Sequence, residues 1–158
     1  MRTGSRPRAL ALALAVALLT SGFAILTSSG FALSAPAAPA AAELAEGQEW
    51  RYRTRPQEPH STLLIARIDE DGGGRVVHVS VARVRLQDPR QPGGLAAEVP
   101  HLAFDEAALR ASLVELLGAA PPAAGFARAY EQWRRHHAGI HRIPVAQALD
   151  RLEDALIW

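Results

Sequence analysis

Residues 62–86 read TLLIARIDEDGGGRVVHVSVARVRL. Two runs rich in Val, Ile and Leu flank Asp69-Glu70-Asp71-Gly72-Gly73-Gly74. Glycine adopts positive φ without steric cost, so this acidic, triple-glycine segment predicts a turn. The runs on either side, Thr62–Ile68 and Arg75–Leu86, then predict an antiparallel hairpin. The triple glycine has neither the strand–loop–helix context nor the lysine of a phosphate-binding loop.

Upstream, Gln48–Arg55 alternates, with Trp50, Tyr52 and Thr54 on one side and Arg51, Arg53 and Arg55 on the other. A period of two marks a half-buried strand with a basic outer face. Pro56 and Pro59 end it. Downstream, two prolines and two glycines in Asp88–Gly94 predict a loop, and Leu95–Val99 a short fourth strand. Asp105 suits a helix N-cap, where its carboxylate accepts an orphan backbone N–H. Ala108, Leu109, Leu113, Leu116 and Leu117 recur at helical spacing up to Gly118, a natural stop.

A second helix is expected from about Ala123 to His137, with Phe126, Tyr130 and Trp133 on one stripe. Pro144 fits the first turn of a third helix, whose apolar stripe is Val145, Leu149, Leu152 and Leu156. The expected fold class is α+β: a small antiparallel sheet of three to four strands followed by about three helices covering one face. The expected domain runs from residue 47 to 158.

The N-terminal part has a different composition. Arg2, Arg6 and Arg8 precede an uncharged stretch from Ala9 to Ala42, of which Ala9–Leu19 is unbroken Ala, Leu and Val. A basic start, an apolar run and small residues at Ala35-Pro36-Ala37 or Ala40-Ala41-Ala42 form an export-signal pattern. Ala9–Leu33 also has the length of a membrane-spanning helix, for which ~20 residues suffice. Residues 1–33 are therefore expected to be a signal peptide or a single-pass transmembrane anchor, and residues 34–46, with Pro36 and Pro39, an Ala/Pro-rich linker. Either way the basic start stays inside. The domain is then expected in a bacterial cell envelope, periplasmic or anchored in the inner membrane.

Of the seventeen basic residues, all Arg, three lie before the apolar run, which leaves 14 against 16 Asp and Glu in the rest. A mildly acidic domain lacks the Lys/Arg excess that neutralises phosphates, so nucleic acid is not an expected partner. The chain has no Cys. That removes disulfides, thiol nucleophiles and Cys-ligated zinc.

Candidate ligand-binding residues are the basic rows Arg51, Arg53, Arg55 and Arg83, Arg85, together with His101. If neighbouring strands present the rows side by side, guanidinium groups hold carboxylates or phosphates bidentately. A solvated face paired with Glu49, Glu58 and Asp69 is the plainer reading. His101 follows Pro100 at an element junction, and Asp105 or Glu98 beside it would make a general base. A junction histidine bonded to backbone is the plainer alternative.

His136, His137 and His141 cluster, but Gly139 interrupts the helix between them and no Glu follows the first as in zinc proteases. A polar helix end whose histidines favour the dipole is the other reading. His78, inside the long strand, is expected to pack across strands. No residue is assigned to catalysis or to a metal, and no cofactor is expected.

Gly47–Pro56 (GQEWRYRTRP), Ser61-Thr62-Leu63, Val77–Val81 (VHVSV) and His101–Phe104 (HLAF) resemble a group of small uncharacterised bacterial proteins. The likeness covers about residues 46–145 and implies no activity. It implies a cytosolic setting, in contrast to the N-terminal segment. The expected function is a non-catalytic binding domain of the cell envelope, with a protein partner or a small anionic ligand. The alternative is a small hydrolase or metal-dependent enzyme using His101 and the His136/His137/His141 group. A third expectation, an assembly domain of a membrane complex, needs the N-terminal segment uncleaved.

Overall fold

The computed structural model describes residues 42–72, 74–136 and 138–157. Five strands are joined in the order β1 (Gln48–Tyr52), β2 (Thr62–Asp71), β3 (Gly74–Gln87), β4 (Leu95–Asp105) and, after helix α1 (Glu106–Ser112), β5 (Leu113–Ala119). Helices α2 (Phe126–His136) and α3 (Val145–Ile157) follow. The strands form one antiparallel sheet in the order β4-β3-β2-β1-β5. The fold is α+β, as the element pattern predicts, with a five-stranded sheet.

The hairpin of β2 and β3 is central, and its last pair is Asp71 with Gly74. Strand alternation sorts its side chains. Leu63, Ile65, Val77, Val79 and Val81 join Trp50, Tyr52 and Phe104 in the core, under Leu109 of α1 and Val145, Ala148 and Leu149 of α3. The opposite face carries Leu64, His78 and Ser80, and α2 lays Tyr130 and Trp133 against His78, so the helices divide between both faces rather than sharing one.

Three elements depart from the periodicity. The first strand stops at Tyr52, so Arg53 and Arg55 lie beyond its alternation. β4 runs on through Pro100 and His101 to Asp105. This is possible because the β3–β4 register shifts between Val79 and Val81, which leaves Pro100 and His101 opposite Ser80 as a bulge. The helix capped by Asp105, whose carboxylate accepts from Ala107 and Ala108 N–H, ends at Ser112. Ser112 Oγ accepts from Val145 N–H and bonds Ala108 O, so this side chain competes with helix continuation. The residues after it pair with β1, Leu113 opposite Tyr52 and Leu116 opposite Trp50.

Leu44, within the stretch expected as linker, is buried in the core. The transmembrane expectation is corrected: among the described residues no helix is long and apolar enough to cross a membrane. The longest, α3, has 13 residues, short of the ~20 a span needs. Residues 9–33, on which that expectation rested, lie outside the described residues, as does His137.

Candidate functional site

The basic rows are dispersed by the fold. Arg55 is 3% exposed and serves the interior: Nε and Nη2 donate to Glu58 at 2.9 and 2.8 Å, and Nη1 donates to Glu153 at 2.8 Å and to Asp150 at 3.3 Å. These carboxylates hold its pKa above the ordinary arginine value, chiefly through the Glu58 bonds. Arg53 Nη1 donates to Ala111 O. Arg85 faces a surface shared with Gln57, Gln87 and Glu153.

Arg51 and Arg83, two strands apart, do converge. Both line a cleft of about 560 Å³ with Pro59, His60, Ser61, Thr62 and Leu117. Arg83 has φ +57°, a left-handed conformation costing a non-glycine residue about 1–2 kcal/mol. The bonds from its Nε to His60 O (2.9 Å) and from Nη2 to Thr62 Oγ1 (2.6 Å) hold it there. This twist sits in a register shift between Ala82 and Leu86 and turns Arg83 away from Arg85. Arg51 pairs with Glu115 at 2.8 Å and Arg83 with Glu49 at 3.3 Å. Both arginine side chains stay more than half exposed, at 53% and 56%, so an anion can compete for them.

The second constellation lies on the outer face beneath α2. His78, fully buried, places Nδ1 2.9 Å from Nε2 of half-buried His101. On its other side Nε2 lies 3.3 Å from Asp69 Oδ2. That approach is not an aligned hydrogen bond, since Nε2 has no aligned partner. Asp69 accepts from Tyr130 Oη at 2.6 Å and Arg67 Nε at 2.6 Å. Burial draws its pKa upward, but these two bonds outweigh it and hold the carboxyl below its usual value.

A proton on His78 is therefore best placed on Nε2, facing the carboxylate. Nδ1 then accepts from His101 Nε2–H, which leaves the lone pair of His101 on Nδ1. Burial lowers the pKa of both imidazoles; that of His101 is pushed down to about 4, with His78 and His141 adding to the effect.

The rings of α2 enclose this pair. Tyr130 and Trp133 meet His78 edge-on at 5.0 and 4.7 Å. Phe126, Tyr130 and Trp133 lie 5.7, 6.0 and 5.7 Å from His101. Two bulges prepare the site. One, at Ala66, ends the register that runs from the turn to Arg67 opposite His78; the other carries His101. The aromatic stripe and the polar residue His78 amid valines were visible in sequence. The partnership with Asp69 was not, because it depends on the hairpin register set from Asp71 and Gly74 and on α2 laying Tyr130 against the carboxylate.

His136 is exposed at the end of α2, while His141 bridges to Phe104 at the edge of β4. Among the described residues no group of three or more His, Cys, Asp or Glu is placed to hold a metal ion. Compared with protein-family models, curated proteins and solved structures, the chain matches none.

Proposed function

We propose that this is a non-catalytic binding domain of the cell envelope, which takes a small anion or the acidic group of a protein partner between Arg51 and Arg83. The observation that carries this reading is the meeting of two half-exposed guanidinium groups, from β1 and β3, over one open cleft. Leu117 adds an apolar wall. Paired guanidiniums suit a carboxylate or phosphate, which accepts two parallel N–H bonds from each fork. Export rests on the basic and apolar N-terminal pattern.

Calorimetric titration with inorganic phosphate and with a small dicarboxylate tests the cleft. Saturable binding lost in Arg51→Glu/Arg83→Glu supports it. No binding by the parent, or binding that survives the double reversal, sinks it. The mass of the native protein recovered from envelope fractions tests export, since a processed chain lacks the N-terminal segment.

A second reading, a small hydrolase with His101 as general base, draws on the Asp69–His78–His101 chain. The rings of Phe126, Tyr130 and Trp133 crowd His101, which weakens it. Esterase activity abolished by His101→Ala would favour it.

A further inference from the structure

We propose that α2 is a proton-released clasp, closed over the uncharged His78–His101 pair of β3 and β4 and lifting when these imidazoles take up protons. The starting point is donor counting. A contact of 2.9 Å between two ring nitrogens needs one N–H and one lone pair. Two protonated rings present N–H to N–H and cannot keep it. Closed beneath α2, His78 has no exposed surface and His101 is half-buried. Opened to water, both take protons at the ordinary histidine pKa near 6.5.

The open state thus binds more protons than the closed one, and acid favours opening about tenfold per pH unit for each extra proton. The window follows from the depression: the clasp is fully held above about 6.5 and loosens as pH falls toward the His101 value of about 4.

The helix is lightly fixed, as such an element must be. Its one buried side chain is Tyr130, which donates to Asp69 at 2.6 Å with Arg67 over its ring, and its aromatic residues otherwise rest on the two histidines. The charged and titratable groups around the pair come from every packed element. They are Arg67 and Asp69 of β2, with Glu46 acting on Arg67; Tyr130 and Arg134 of α2; and His141, backed by Arg151 of α3. Asp69 stays ionised through most of the window and favours a proton on His78. Burial, with Arg67 adding to it, outweighs that pull and keeps His78 below its ordinary value. Lifting α2 uncovers Phe126, Tyr130 and Trp133 together with the polar outer face, a surface fitted to apolar contacts that is closed near neutrality.

Hydrogen exchange by mass spectrometry on the full chain at pH 7.0 and 4.5, corrected for intrinsic rates, tests the clasp. Protection of residues 126–136 should fall at least tenfold more than that of β2 and β3. In His101→Gln, which keeps a donor toward His78 but cannot titrate, this excess loss should shrink by about tenfold. An equal fall in α2 and the sheet overturns the proposal, and so does an undiminished excess in His101→Gln. Should that variant not fold, the imidazole titrations of the parent decide by NMR: both histidines titrating near 6.5 with α2 docked would refute it.

Discussion

Replacing Arg55 with Met removes, among the described residues, the only cation bonded to Glu58, whose side chain has no solvent exposure. In the parent, Glu58 accepts two guanidinium bonds at 2.9 and 2.8 Å and the Arg85 N–H at 2.8 Å. Arg55→Met leaves that carboxylate with backbone bonding alone, in surroundings that cannot hydrate it. It also frees Asp150 and Glu153, through which α3 is tied to the segment after β1. Breaking a buried pair from one side costs about 3–5 kcal/mol. Against a total stability of about 5–15 kcal/mol, that is a large share.

At roughly 4 °C per kcal/mol for a domain of this size, the melting temperature should fall by roughly 12–20 °C. The companion variant Arg55→Met/Glu58→Met removes both buried charges in similar volume and should recover most of the loss. Asp150, 58% exposed, and Glu153, 18% exposed, remain near water and tolerate the change. Urea denaturation followed by circular dichroism measures all three proteins. A single variant within about 1 kcal/mol of the parent, or a double variant no better than the single, would refute the reasoning.

Asp105→Ala removes the acceptor for Ala107 and Ala108 N–H and should cost about 1 kcal/mol in the same assay. Burial raises the Tyr52 pKa to about 12, against the lowering effect of its bond to Ser61. Because the folded value lies above the unfolded one, this stabilisation is complete below about 10 and lost as pH rises through about 12. Tyr52→Phe should flatten that alkaline loss, read as unfolding midpoint against pH; an unchanged slope would count against it. Leu116 and Leu117 are 46% and 42% exposed on the edge strand β5. Leu116→Lys/Leu117→Lys should shift stability by less than about 1 kcal/mol while lowering any concentration-dependent association seen by light scattering.

Local chemistry was legible where it acts within a few residues. The Gly72–Gly74 turn between two apolar runs specifies the hairpin, Asp105 its cap, and Pro144 the start of α3. Leu113–Gly118 misled for a physical reason. Leucines at that spacing satisfy a helix stripe as well as a strand, and the choice falls to β1, whose free edge takes β5 as its partner. The arginine rows failed as a unit because alternation holds only while the strand continues. β1 ends before Arg53, Arg55 is drawn inside by three carboxylates, and the positive φ of Arg83 separates it from Arg85.

The sequence by itself determined an α+β domain, its central hairpin and the apolar stripes of its helices, because period and turn residues act over short range. Tertiary structure alone decided which cations share a cleft and which titratable groups touch. Asp69, His78, His101 and Tyr130 are spread over 62 residues and meet through the hairpin register, the bulge at His101 and a helix laid across the sheet. One extra residue in a strand reverses the face to which every later side chain points, and no pattern in the chain marks where that residue falls.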